Sequence, residues 1–310
     1  MSGTQSNKQD TPPRGGIVRL ANGGTLAFDE YGDLAGRPVI FCHGWPSSRS
    51  MAQLTDEAAR NHGVRIISPD RPGISGSSFQ VNRTLADWPA VVGALTEHLA
   101  IERFHLLAIS GGAPYAYATA LAMPTRVLAV SVVSGAPPIA ELTDHSGLWR
   151  LHRWMLALHR RNPATLRALF HVARPFAAAR MSLRARPFLR LALQRMDAEA
   201  LRDRPAFEAC FESSRRAWQA SVKGLIADAE IYAQPWGFRL EEIETPIRLW
   251  HGAKDRTFSC GLAEEVARRF PNCALRIVTD AGHYSLPIRY IDEILRDLIE
   301  TPAVAVPCVG

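Results

Sequence analysis

Lysine is almost missing from this chain. Only three occur in 310 residues, so nearly all of the 36 basic side chains are arginine. Cysteine is also scarce: Cys42, Cys210, Cys260, Cys273 and Cys308 are odd in number, scattered, and form no C-x-x-C pair. That pattern excludes a disulfide framework and a zinc site built on paired cysteines. Reduced thiols in a cytoplasmic protein are the expectation, with Cys42 a buried small hydrophobe. No apolar run reaches the roughly 18 residues that a membrane span requires. The first sixteen residues are polar and rich in Gly and Pro, without the apolar region of a secretory signal, and read as a flexible leader. There is no internal repeat. No phosphate-binding or dinucleotide glycine motif occurs, so no cofactor is expected.

What is present is an ordinary globular composition, 47% hydrophobic and 21% charged, with a net charge of +6. The charge is uneven. Between Trp149 and Arg239 there are 16 Arg and one Lys against seven acids, a balance of +10. Two readings stand: solvated helix faces, or a surface that receives an anionic carrier. No nucleic-acid module accompanies the charge, so nucleic acid is not an expected partner. His145, His152, His159 and His171 fall in the same stretch without a compact ligand motif, and no metal is expected.

Short apolar runs alternate with helical patterns. Strands are predicted at 24–31, 38–42, 64–68, 104–109, 127–133, 246–250 and 274–279. Helices are predicted near 50–61, 85–99, 112–122, 261–269 and 287–300. Continuous apolar strands alternating with helices imply an α/β fold: a mostly parallel sheet covered on both faces. From 136 to 236 the rhythm changes to helical, Arg-rich sequence punctuated by prolines, including Pro163, Pro187 and Pro235. Trp149, Trp154, Phe170, Phe176, Phe188, Phe211 and Trp218 recur there. The expected layout is a core at 17–135 and 237–300, a helical cap at 136–236 and a tail at 301–310.

The chemistry starts at Ala108-Ile109-Ser110-Gly111-Gly112, between an apolar strand and a helical run. A serine on a tight strand-to-helix turn is thrust clear of the sheet, and the turn demands small residues two before and two after it. Ala108 replaces the more usual glycine at the first of these. Ser110 is therefore the candidate nucleophile. His43-Gly44-Trp45-Pro46 follows an earlier strand. Acyl transfer needs donors aimed at the oxyanion, and the backbone N–H groups of Gly111 and Trp45 are the candidates. His43, Gly44 and Pro46 support that loop. Asp255 follows the run PIRLW in an H-G-x-x-D pattern and is the candidate acid; Asp280 is its rival. His283, after the last strand, is the candidate base. The chain order Ser110, Asp255, His283 is that of α/β-hydrolases.

These motifs resemble the α/β-hydrolase superfamily, in the branch with an HGxP oxyanion loop and a helical cap. The resemblance spans roughly residues 17–300 and rests on HGWP at 43–46, DRPGISGSS at 70–78, AISGG at 108–112, HGAKD at 251–255 and AGH at 281–283. It implies a cis Trp45–Pro46 bond and structural roles for Asp70 and Arg71. A serine at position 110 disfavours the relatives that use an aspartate there, the epoxide hydrolases and haloalkane dehalogenases. Serine fits a small-molecule ester or lactone substrate through an acyl-enzyme. Alternatives are a thioesterase or acyltransferase using a CoA- or protein-linked acyl group, a C–C hydrolase or lyase, and a ligand-binding protein on the same scaffold.

Overall fold

The computed structural model describes residues 14–180 and 193–302. Most of the expected leader (to residue 13), most of the expected tail (from residue 303), Pro187, Phe188 and Cys308 lie outside the described residues. Eight strands form one sheet: β1 (Arg14–Arg19), β2 (Thr25–Gly32), β3 (Arg37–Cys42), β4 (Val64–Pro69), β5 (Phe104–Ile109), β6 (Val127–Val133), β7 (Ile247–Gly252) and β8 (Cys273–Val278). Their spatial order is β1-β2-β4-β3-β5-β6-β7-β8. The β1–β2 and β2–β4 pairs are antiparallel and every other pair is parallel.

The seven predicted strands are found with ends shifted by at most two residues. One strand was not predicted. β1 begins at Arg14, so residues 14–16, expected in the leader, belong to a strand. Its Gly15-Gly16 pair and single buried residue, Val18, hide the period of two that betrays a half-buried strand.

The sheet is covered on both sides. Helices α2 (Trp88–His98) and α3 (Ala113–Ala122) pack one face with Trp88, Val92, Leu95, Tyr115 and Tyr117. Helices α1 (Asp56–Asn61) and α11 (Ser285–Glu300) pack the other with Ala59, Ile294, Leu295 and Leu298. Every residue of the central strand β5 is buried, because both of its faces lie under helices. Cys42 is buried at the end of β3, and burial pushes its thiol up to about 12.

Between β6 and β7 the described elements are all helical: α4 (Arg150–Arg161), α5 (Pro163–Ala177), α6 (Arg195–Ala200), α7 (Arg204–Phe207), α8 (Ser213–Ala220) and α9 (Lys223–Tyr232), with a π turn at Glu208–Glu212. Helix α10 (Cys260–Arg269) then links β7 to β8. Among the described residues no helix is long and apolar enough to cross a membrane.

Candidate active site

Three loops at the C-terminal ends of β5, β7 and β8 bring the predicted nucleophile, acid and base together. Ser110 follows β5 directly and holds φ at +52°, in the left-handed region that non-glycine residues seldom occupy. The turn is forced by packing. A Cβ on Gly112 would lie 2.0 Å from the carbonyl oxygen of Cys42, so only glycine lets the start of α3 press against the end of β3.

His283 Nε2 lies 3.1 Å from Ser110 Oγ, and His283 Nδ1 lies 2.7 Å from Asp255 Oδ2. An ionised carboxylate only accepts, so Nδ1 carries the ring proton and Nε2 accepts from the serine hydroxyl. The other carboxylate oxygen, Oδ1, accepts from the backbone N–H of Thr257 at 2.7 Å and of Phe258 at 3.1 Å. Burial pushes the Asp255 carboxyl up, but the His283 charge, its hydrogen bond, His251 and the Phe258 N–H outweigh burial and hold it down. Burial pulls His283 down, but the Asp255 charge and hydrogen bond, aided by Asp197, raise it above its ordinary value. The rival acid is occupied elsewhere: Asp280 accepts from the Tyr290 hydroxyl at 2.8 Å on the surface. The acid and base loops abut because Gly252 has no side chain; a Cβ there would lie 2.4 Å from the Ala281 carbonyl oxygen.

The HGWP loop runs beside Ser110. A Cβ built on Gly44 would be 3.6 Å from Ser110 Cβ, and one on Gly111 would be 3.2 Å from the Trp45 nitrogen. The Trp45–Pro46 bond is cis.

The support beneath this loop goes further than the motifs indicated. His43 Nδ1 donates to the Gly44 carbonyl at 2.9 Å, while Nε2 accepts from the Arg71 N–H at 3.4 Å. Burial, with the Arg71 charge, drives His43 well below the ordinary histidine value, so the ring is neutral. The Arg71 guanidinium is buried and grips the His43 carbonyl at 2.5 Å and the Gly44 carbonyl at 2.9 Å. It also pairs with Asp228 of α9 at 2.8 Å. Arg83 and the Tyr115 hydroxyl complete the cage around Asp228. The Trp45 indole donates to the Leu225 carbonyl at 3.1 Å, and the Tyr232 hydroxyl to the Gly111 carbonyl at 2.8 Å. Asp70 is structural: it accepts from the Arg49 and Gly76 N–H groups.

The role of Asp228 was invisible in the sequence, because it arises only when α9 folds back over the loop that follows β4. Asp197, in α6, was missed for the same reason. Its Oδ1 accepts from Ser285 N at 2.8 Å and Ser285 Oγ at 2.7 Å, pinning the start of α11 just after His283.

Above Ser110 lies a cavity of about 60 Å³, lined mainly by apolar side chains including Trp45, Ile139, Met155, Leu156, Leu166 and Tyr232. Most of these belong to the helical segment between β6 and β7. No group of three or more His, Cys, Asp or Glu among the described residues could hold a metal ion.

A serine on a strained turn after the central strand, facing an imidazole and a carboxylate from later loops, is the arrangement that the α/β-hydrolase fold presents. The chain belongs to the alpha/beta hydrolase fold family, whose model matches residues 37–289. It is 33% identical over 132 residues to a non-heme chloroperoxidase of Streptomyces lividans, covering 42% of this chain and 48% of that protein. The chain thus spans about half the length of that curated relative, and less of others, such as 27% of a proline iminopeptidase from Lactobacillus helveticus. Among solved structures, an enol-lactonase from Burkholderia xenovorans LB400 superposes with a TM-score of 0.66 at 17% identity, covering 92% of this chain and all of that one. A thermophilic esterase from Thermogutta terrifontis superposes at 0.63 with 20% identity, covering 92% of this chain and 98% of that one. At such identities the likeness is one of fold.

Proposed function

We propose that this protein is a serine hydrolase that cleaves a small or medium carboxylic ester or lactone through an acyl-enzyme on Ser110. The observation that carries the reading is the unbroken chain of hydrogen bonds from Asp255 through His283 to Ser110. His283 takes the Ser110 proton as Oγ attacks the carbonyl carbon. The resulting oxyanion receives the N–H groups of Gly111 and Trp45. Collapse breaks the bond to the alcohol, which leaves with the proton held by His283. Water then repeats the sequence on the acyl-enzyme and releases the acid. Asp255 holds the Nδ1–H tautomer throughout and stabilises the imidazolium.

The described helices between β6 and β7 act as a cap in this reading. The cavity they close suits a compact acyl or lactone group and not a long chain. The esterase and lactonase among the structural neighbours agree with that substrate class, at the level of fold. A serine at the elbow argues against the epoxide-opening chemistry that names another relative, an epoxide hydrolase of Caballeronia sordidicola.

The test is mass spectrometry of protein quenched during turnover of p-nitrophenyl butyrate. A butyryl group on the peptide holding Ser110, absent in Ser110→Ala, supports the reading; turnover with no acyl-serine defeats it.

One observation favours a second substrate class on the same machinery. Arg150, Arg153, Arg160 and Arg161 of α4 are exposed and have no ion-pair partner among the described residues. They would suit an acyl group carried on a phosphorylated carrier such as coenzyme A. A kcat/KM for butyryl-CoA that falls steeply with salt, while that for neutral esters does not, would select this class.

A further inference from the structure

Two histidines of α4 line the cavity over Ser110, and each has a ring nitrogen without a hydrogen-bond partner among the described residues. His152 and His159 are seven residues apart, two helical turns, and so share one face. Both line the cavity. The Nδ1 atom of each is buried and has no hydrogen-bond partner among the described residues. Buried polar atoms are nearly always partnered, so a pair of orphans in one pocket calls for an explanation.

The rest of the lining sharpens the point. Trp45 has committed its indole N–H to Leu225, and Tyr232 its hydroxyl to Gly111. Apart from Ser110, the other side chains around the cavity are apolar. His152 and His159 therefore hold the uncommitted polar side-chain atoms that share the cavity lining with Ser110. His152 is also fixed in place. Its ring stacks on Phe258 at 5.6 Å and 26°, and meets Trp149 edge-on at 5.6 Å. Phe258 in turn meets the His283 ring at 5.8 Å, so His152 stands one aromatic layer from the base.

We propose that His152 and His159 form a polar subsite that selects substrates bearing an uncharged hydrogen-bonding group, a hydroxyl or ketone oxygen, close to the scissile bond. The proposal rests on the serine-hydrolase reading above and narrows its substrate class. Burial, with the His283 charge, pushes His152 down to about 4, so the ring is neutral at neutral pH. A neutral imidazole both donates and accepts, which suits a hydroxyl or a ketone and offers a carboxylate no compensating charge. A substrate lacking the group leaves the buried nitrogens unmet in the complex, and that is what gives such a site its discrimination.

The test uses two pairs of esters matched in shape. Methyl 3-hydroxybutyrate against methyl 3-methylbutyrate puts a hydroxyl in place of a methyl on the acyl side. 2-Hydroxyethyl butyrate against propyl butyrate does so on the alcohol side. After correction for alkaline hydrolysis rates, the wild type is expected to favour the hydroxylated member of at least one pair by about tenfold in kcat/KM. His152→Phe keeps the stacked ring without its nitrogens, and should reduce that preference about three- to tenfold. The readout is the ratio of kcat/KM within each matched pair, with fluorophosphonate labelling of Ser110 measured alongside. His159→Leu should act in the same direction, and His152→Gln should retain part of the preference. The subsite is overturned if the wild type favours neither hydroxylated ester, or if the variants slow both members of a pair alike. Wild-type protein that takes no fluorophosphonate label at all would overturn the serine reading itself, a separate outcome.

Discussion

Replacing Asp255 by asparagine changes almost nothing in shape, yet it should nearly abolish turnover. Asp255 Oδ1 accepts from two backbone N–H groups, those of Thr257 and Phe258. An asparagine must offer its carbonyl oxygen to those donors, because an NH2 group there would face two N–H groups. Its NH2 is then turned toward His283 Nδ1, where Asp255 Oδ2 now sits at 2.7 Å. The imidazole can meet an NH2 donor only through a bare Nδ1, so its proton moves to Nε2. Nε2 then points a proton at Ser110 and cannot accept one. In a Ser-His-Asp protease this wrong tautomer costs about 10⁴ in kcat, or ~5 kcal/mol at 1.36 kcal/mol per tenfold. The assay is kcat and kcat/KM on p-nitrophenyl butyrate across pH, with the melting temperature as a control for folding. The wild type should lose kcat/KM as the pH falls through the His283 pKa, which is raised from the ordinary histidine value because the Asp255 charge favours the protonated ring. In Asp255→Asn that charge is gone, so the acid limb of the residual activity should move to lower pH. A folded variant within tenfold of wild-type kcat, or an unmoved acid limb, would refute the reasoning.

Asp280→Asn should leave kcat/KM within about twofold, since that carboxylate is held by Tyr290 and not by His283; a loss comparable to that of Asp255→Asn would reverse the assignment. Gly112→Ala should cost at least 1–3 kcal/mol of stability, because its Cβ would sit 2.0 Å from the Cys42 carbonyl oxygen; denaturant melts measure this, and an unshifted midpoint would contradict it. Arg71→Met should cost about 3–5 kcal/mol by leaving the carboxylate of Asp228 short of a partner in a buried cage. Arg71→Lys should rescue little of that loss, as a point charge cannot span the two carbonyls and the carboxylate together.

The parts of the site that were legible in the sequence are the parts made by local chemistry. Ser110, Asp255 and His283 each sit on a loop just after a strand, and the small residues around them announce tight turns. The seven predicted strands were legible as short β-branched or apolar runs. β1 was not, because its Gly15-Gly16 pair and exposed side chains carry no period of two. Asp228 and Asp197 were also opaque. Each acts on a partner far away in the chain, Arg71 and Ser285 respectively, and neither sits in a motif. His152 and His159 stood in the sequence only as histidines without a compact ligand motif; that both line the cavity over Ser110 follows from how α4 packs. The Arg-rich charge resolves in part into surface pairs, such as Arg167 with Glu230 and Arg215 with Glu212, and in part into arginines of α4 that have no ion-pair partner among the described residues.

The central claim is that Ser110 is an activated nucleophile, and a fluorophosphonate probe tests it most directly. Intact protein would be labelled, digested and sequenced by mass spectrometry, with Ser110→Ala alongside. The account predicts one adduct, on Ser110, in the wild type and none in the variant. An adduct on another residue, or folded wild-type protein that stays unlabelled while Ser110 and His283 remain 3.1 Å apart, would contradict it.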